Sequence, residues 1–187
     1  MTRSLVFLAL APALLAADWP QWRGPNRDGH APGVKLPDVW PEKAPAPRWK
    51  IPAGEGYAGT CVAGGKVFIH DRVGDKERVR SLDAATGKEL WAVDYPESFA
   101  APDPTAGKGP NATPAFDRDR VYTYGLGGIL LALDAATGKE LWKHDCKAEF
   151  WGEKKGKLGD DAYFPPCGAS ASPARGRRHR DRPGRRP

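Results

Sequence analysis

The chain has 187 residues, with 22 Gly, 19 Pro, 28% charged and 10% aromatic residues, and a formal net charge of +6. This length excludes a large multidomain enzyme, and the Gly and Pro content suits short strands joined by turns rather than long helices. Seven Arg against one Asp between Ala174 and Pro187 account for the whole +6, so residues 1–173 are net neutral and the basic character is local.

At the N-terminus, Arg3 precedes an apolar run from Leu5 to Leu15, interrupted by Pro12 and followed by Ala16 and Ala17 before Asp18. This is the layout of a secretory signal peptide, predicted over residues 1–17. The run falls short of the about 20 apolar residues that a spanning helix needs, so no integral membrane span is expected after signal cleavage; an uncleaved anchor is the alternative. The mature chain is expected to be exported, to the periplasm or the extracellular space. Cys61, Cys146 and Cys167 allow at most one disulfide and lack the C-x-x-C spacing of a zinc or redox site.

Residues 18–52 are read as an N-terminal segment ending in a closing strand, Trp49-Lys50-Ile51. The strongest signal lies beyond it. The decapeptide from Leu82 to Trp91 (LDAATGKELW) recurs unchanged from Leu133 to Trp142. A repeat of this length with a turn and a Trp in each unit is the signature of propeller blades.

In each unit β-branched and aromatic runs supply strands A to D. Strand A is predicted over Tyr57–Val62 and Ala112–Phe116, and strand B over Val67–Ile69 and Val121–Tyr124. Strand C is predicted over Val79–Asp83 and Ile129–Asp134. Strand D ends in Trp91-Ala92-Val93 and Trp142-Lys143-His144, after an Ala-Ala-Thr-Gly turn in which Gly87 and Gly138 supply positive φ. Blade 1 then covers residues 53–95 and blade 2 residues 111–145, with a loop over 96–110. Residues 146–173 form a second loop and, from Gly168 to Pro173, the start of a third blade. The fold class is all-β, a partial β-propeller of two four-stranded antiparallel blades and an N-terminal closing strand, with residues 174–187 a disordered tail.

Ala132-x-Asp134-x-x-x-Gly138-x-x-x-Trp142 resembles the tryptophan-docking motif of the pyrroloquinoline quinone (PQQ) repeat, and Ser81-x-Asp83-x-x-x-Gly87-x-x-x-Trp91 is similar, with Ser in the leading place. The stretch from Asp18 to Gly29 (DWPQWRGPNRDG) resembles the opening of exported BamB-like propellers of the same family. The resemblance covers roughly residues 18–173. It implies that Trp49, Trp91 and Trp142 dock blades by packing on small residues and Gly-bearing peptides of a neighbour.

The family includes quinoprotein dehydrogenases, which hold PQQ and Ca²⁺, and propellers with no catalytic role. No adjacent Cys pair of the kind that supports the quinone exists here, so the resemblance carries no catalytic residue onto this chain. PQQ and calcium are expected only if a full-length parent is such a dehydrogenase. Asp83 and Asp134 are read as turn caps. His30, His70, His144 and His179 are scattered and read as surface histidines, and Gly107-Lys108-Gly109 lacks the frame of a phosphate loop.

The connections Asp71–Arg78, Asp94–Pro110 and Cys146–Pro166 are predicted to share the ligand face. They carry Tyr95, Phe99, Phe150, Trp151, Tyr163 and Phe164, suited to a protein or carbohydrate ligand or, equally, to filling gaps between blades.

The Arg-rich tail could serve a nucleic acid or an acidic surface, yet it interrupts strand A of the third blade and twelve of its fourteen residues are Arg, Gly, Pro or Ala. Read one nucleotide later, Arg codons of the CGN form begin with G, and one back-translation gives LVVGVIVTVPGGA, a strand and a turn. The tail is therefore read as an out-of-frame end of a longer protein, and nucleic acid is not expected as a partner. The reading that results is an exported, non-catalytic binding or scaffolding propeller module whose other partners are the missing blades of its parent chain; the alternative is part of a PQQ-dependent alcohol or sugar dehydrogenase.

Overall fold

Among the described residues eight short strands form between the Gly- and Asp-bearing turns, and they group by sequence into two antiparallel sheets. The computed structural model describes residues 18–35, 37–97, 99, 107–151 and 168–174. The first sheet runs in the order β1 (Cys61–Ala63), β2 (Lys66–Val73), β3 (Lys76–Asp83) and β4 (Glu89–Pro96). The second runs in the order β5 (Ala115–Asp117), β6 (Arg120–Tyr124), β7 (Ile129–Asp134) and β8 (Glu140–Asp145), followed by a six-residue helix, α1 (Cys146–Trp151). Among the described residues the protein is all-β apart from this helix, which occupies part of a segment expected to be loop. Among the described residues no helix is long and apolar enough to cross a membrane. The predicted signal segment lies outside the described residues.

The first sheet is more regular than its sequence suggests. Asp71–Arg78 is not a long connection: β2 and β3 pair without a break from Lys66↔Asp83 to Val73↔Lys76, closed by Gly74 and Asp75. The charges that read as loop are satisfied within the ladder. Asp71 and Arg78 are direct cross-strand partners, and Arg78 donates Nε and Nη2 to the two Asp71 carboxylate oxygens at 2.9 and 2.8 Å, a geometry that adds to strand pairing.

Strands β1 and β5 start later than predicted because the residues before them bond to neighbouring segments instead of a ladder. Tyr57 and Ala58 N–H both donate to Pro110 O at 2.9 Å, and Gly59 N–H donates to Thr113 Oγ1 at 3.1 Å. Trp49–Ile51 is likewise not a strand; the nearest pairing is a single bridge between Glu55 and Arg72. Residues 168–173 form no strand, but Ala169 N–H donates to Leu126 O at 2.8 Å.

One face of each sheet meets the other. Phe68, Val79, Trp91, Val93 and Tyr95 of the first sheet pack with Val121, Leu131, Leu133 and Ala135 of the second. Phe68 stacks on Phe116 with centroids 5.8 Å apart.

Trp91 closes one end of this junction. Its ring lies on Gly138, where a Cβ would come within 2.8 Å of ring carbons, and Nε1 donates to Ala135 O at 3.2 Å. Trp49 repeats the arrangement one unit earlier: its ring lies on Gly87, with a Cβ at 2.7 Å, and Nε1 donates to Ala84 O at 3.0 Å. Both glycines have φ of 74°, a region that L-residues enter at a steric cost. Ser81 and Ala132, both fully buried, stand opposite Trp91 and Trp142 within their own sheets, each followed by a bulge.

Replacing Gly138 with Ala should cost about 3 kcal/mol, joining left-handed strain to displacement of a half-buried indole. Gly74→Ala, at φ of 63° but with nothing within 4 Å, should cost only about 1 kcal/mol. Denaturant unfolding of the two variants checks the difference.

Candidate functional site

At the other end of the junction the sheets are joined by buried polar groups. Glu77, fully buried in β3, accepts the Tyr95 hydroxyl on Oε2 at 2.5 Å and the Leu126 N–H on Oε1 at 2.8 Å. His70 Nε2 lies 3.4 Å from Oε2 of the same carboxylate and 2.9 Å from the Tyr95 hydroxyl. Beside it, Glu97 accepts Phe99 N–H at 2.6 Å and Gly127 N–H at 3.0 Å. Two carboxylates, one in β3 and one just past the end of β4, thus hold backbone donors in the β6–β7 turn of the second sheet. The turn must be bare: a Cβ on Gly125 would come within 2.2 Å of Glu77 Oε2, and one on Gly127 within 2.3 Å of Glu97.

Tyr95 is therefore not a ligand-face loop residue. It lies in β4 and is buried, because its hydroxyl is needed by Glu77. His70, expected on the surface, is buried for the same reason. Burial alone would raise the Glu77 carboxyl, but the His70 ring, the Tyr95 hydroxyl and the Leu126 N–H more than offset it and leave the group below its ordinary value. Burial first, and then the Glu77 charge, push the Tyr95 phenol well up.

Arg72, also buried, gathers the chain that follows β4. It donates to the backbone carbonyls of Gly74, Phe99, Lys108 and Glu97 at 2.8–2.9 Å. Phe99 is half-buried, with Lys147 Nζ 5.5 Å from its ring centroid. Phe150 is half-buried in α1, Trp151 is the last residue of α1, and Tyr163 and Phe164 lie outside the described residues.

Asp83 and Asp134 serve their turns. Each accepts on Oδ1 from the Thr hydroxyl three residues on at 2.7 Å and from that Thr's N–H at 2.8 Å. Those Thr hydrogen bonds hold both carboxyls below the ordinary value. Cys61 is a buried thiol, Cys146 is half-buried, and Cys167 and His179 lie outside the described residues.

An open cleft of about 520 Å³ lies where the N-terminal segment meets the starts of the inner strands. It is lined by Trp22, Arg27, Tyr57, Asn111, Ser170 and Ser172, with Gly59 and Thr113 at its back. The N-terminal segment is fixed there by two strands: Trp19 pairs with Val62, and Phe116 N–H donates to Pro20 O at 2.7 Å. Behind the cleft a ladder of hydroxyls crosses successive units, Gly59 N–H to Thr113 Oγ1 at 3.1 Å and Thr113 N–H to Ser172 Oγ at 3.0 Å. Sequence reasoning did not single out these lining residues; the aligned Thr113-Pro114 and Ser172-Pro173 pairs were the available signal.

The family described as outer membrane protein assembly factor BamB, of the PQQ-repeat type, matches residues 75–157, from the β2–β3 turn through β8 and α1. The chain carries a BamB-like PQQ-repeat region. Sixty-five residues, 35% of the chain and 9% of the relative, are 42% identical to quinohemoprotein alcohol dehydrogenase ADH IIB of Pseudomonas putida. Among solved structures, the quinohemoprotein alcohol dehydrogenase of Comamonas testosteroni is 20% identical with a TM-score of 0.43, over 70% of this chain and 20% of that one. BamB of Moraxella catarrhalis is 23% identical with a TM-score of 0.33, over 52% of this chain and 25% of that one. The chain thus spans a quarter or less of the length of these three relatives.

Among the described residues no three His, Cys, Asp or Glu side chains converge as a metal site would require, and the buried carboxylates Glu77 and Glu97 already have donors on both oxygens.

The lowered Glu77 value makes stability pH-dependent. A carboxyl depressed in the folded state contributes stability above its unfolded value and loses it as pH falls, so the loss should begin near pH 4.5 and continue through the lower folded value. Glu77→Gln should cost about 2 kcal/mol at neutral pH and flatten this acid limb, measured by urea unfolding across pH 3–8.

Proposed function

We propose that the chain is an exported, non-catalytic PQQ-repeat propeller module that binds its ligand in the cleft beside Trp22 and Tyr57. The observation that carries this reading is the contrast between two kinds of polar group. Glu77, Glu97, Asp71, Asp83 and Asp134 are committed to hydrogen bonds that hold strands and turns. The cleft instead presents Trp22, 47% exposed, and Tyr57, 67% exposed, beside hydroxyl and amide groups, the mixture expected of a site that orients a ligand without reacting with it.

Export follows from the N-terminal charge and hydropathy pattern. The module's other partners are further four-stranded units of its own chain, stacked beyond the second sheet. Trp142 carries the same motif as Trp91, and an apolar hollow of about 370 Å³ opens beside it, lined by Tyr122, Leu130 and Pro173 among others.

A second reading, part of a quinoprotein alcohol dehydrogenase, is favoured by the 42% identity over 65 residues. One assay separates the two. With PQQ and Ca²⁺ added, dye-linked oxidation of primary alcohols and aldoses should not exceed that of PQQ and Ca²⁺ alone. Oxidation that depends on the protein would establish the second reading.

A further inference from the structure

We infer that the cleft takes an acidic saccharide, a pyranose ring bearing a carboxylate; this rests on the binding reading above and gives it a ligand class. The charge comes first. Arg27 is the charged residue of the lining, and no carboxylate shares the lining with it. Its guanidinium sits 5.6 Å from the centroid of the Trp22 ring, and that of Arg23 sits 5.5 Å from the same centroid, so two cations are gathered on one exposed indole. Both arginines are held at positive φ, 63° for Arg23 and 60° for Arg27. Left-handed conformations at non-glycine residues concentrate at functional sites, where the surroundings enforce them. Here Gly24 enforces the turn, since a Cβ on it would come within 2.7 Å of the Trp19 ring.

The remaining lining suits a polyol. Ser170, Ser172 and Thr113 are hydroxyls, each able to donate and to accept. Thr113 Oγ1 and Ser172 Oγ already accept backbone N–H groups, which orients them and directs their protons elsewhere. Asn111 adds an amide, and the exposed ring of Tyr57 offers a face for the C–H side of a sugar ring. The volume of about 520 Å³ falls within the range of small-molecule sites and accommodates one or two sugar rings. An acidic peptide would be recognised through main-chain bonds to an open strand edge, whereas this wall presents side-chain hydroxyls.

The test is calorimetric titration of the full chain with galacturonate, galactose and tetraglutamate. Galacturonate should bind on the order of tenfold tighter than galactose, because a carboxylate meets Arg27. Arg27→Asn, which removes the charge while tolerating the left-handed backbone, should bring the two sugars to equal affinity. Tyr57→Ala should weaken both, and circular dichroism of each variant verifies folding. Equal affinity of the two sugars for the unaltered chain, a preference that survives Arg27→Asn, or tighter binding of tetraglutamate would overturn the inference. Absence of any binding would overturn it too. The non-catalytic reading is decided separately, by the dye-linked assay.

Discussion

The close approach of the Trp91 ring to Gly138 is the constraint on which the sheet junction depends. An indole fits there only because the opposing turn has no side chain, and a Cβ would stand 2.8 Å from the ring. With the ring seated, the β7–β8 turn is fixed against β4. The strands leaving that turn then carry Leu131 and Leu133 onto Val79 and Tyr95. At the far end of the same strands the Gly125–Gly128 turn arrives where Glu77 and Glu97 wait with their oxygens directed at it. The junction is therefore pinned at both ends, by shape at one and by hydrogen bonding at the other, with apolar side chains between.

The two pins act differently. An indole on a glycine tolerates small sliding, because dispersion is not directional. A buried carboxylate does not: moved off the Leu126 N–H, Glu77 would retain its desolvation cost and lose a charged hydrogen bond. Burying Glu77, Glu97 and His70 is thus poorly explained as a source of stability alone. It is well explained as a device for register, since a sheet shifted by one residue would present side chains of the wrong face and leave both carboxylates without their donors in the β6–β7 turn. Arg72 extends the same logic to the following chain by tying four carbonyls to one buried guanidinium.

The parts of the fold visible in the sequence were those written in identity and spacing. Leu82–Trp91 and Leu133–Trp142 announce their hairpins because the turn needs glycine at one place and the junction needs Trp at another, and neither residue has a substitute. The Asp71–Arg78 segment was misread because six of its eight residues are charged, and a charged run carries no strand signal when it is read by hydropathy; Asp71, Arg72 and Glu77 are buried only because they meet a polar side chain or a backbone group, information that lies in the third dimension. 

The cleft was invisible for a related reason. Its lining comes from residues 22–27, 57–59, 111–113 and 170–172, four stretches that share no local pattern.

The hydroxyl ladder joins the fold to the cleft. Thr113 holds Gly59, two residues before β1, and Ser172 holds Thr113, two residues before β5, so each unit is spaced from the one before by a side chain that also faces the cleft. The wall that would meet a ligand is therefore made of the same bonds that set the distance between units. A change in that spacing would move Thr113 and Ser172 apart, and with them the hydroxyls opposite Trp22 and Arg27. Ligand recognition and stacking of the units are, on this geometry, coupled through two hydroxyl groups, and a site of this kind needs no catalytic carboxylate because its polar groups are positioned by the backbone they support.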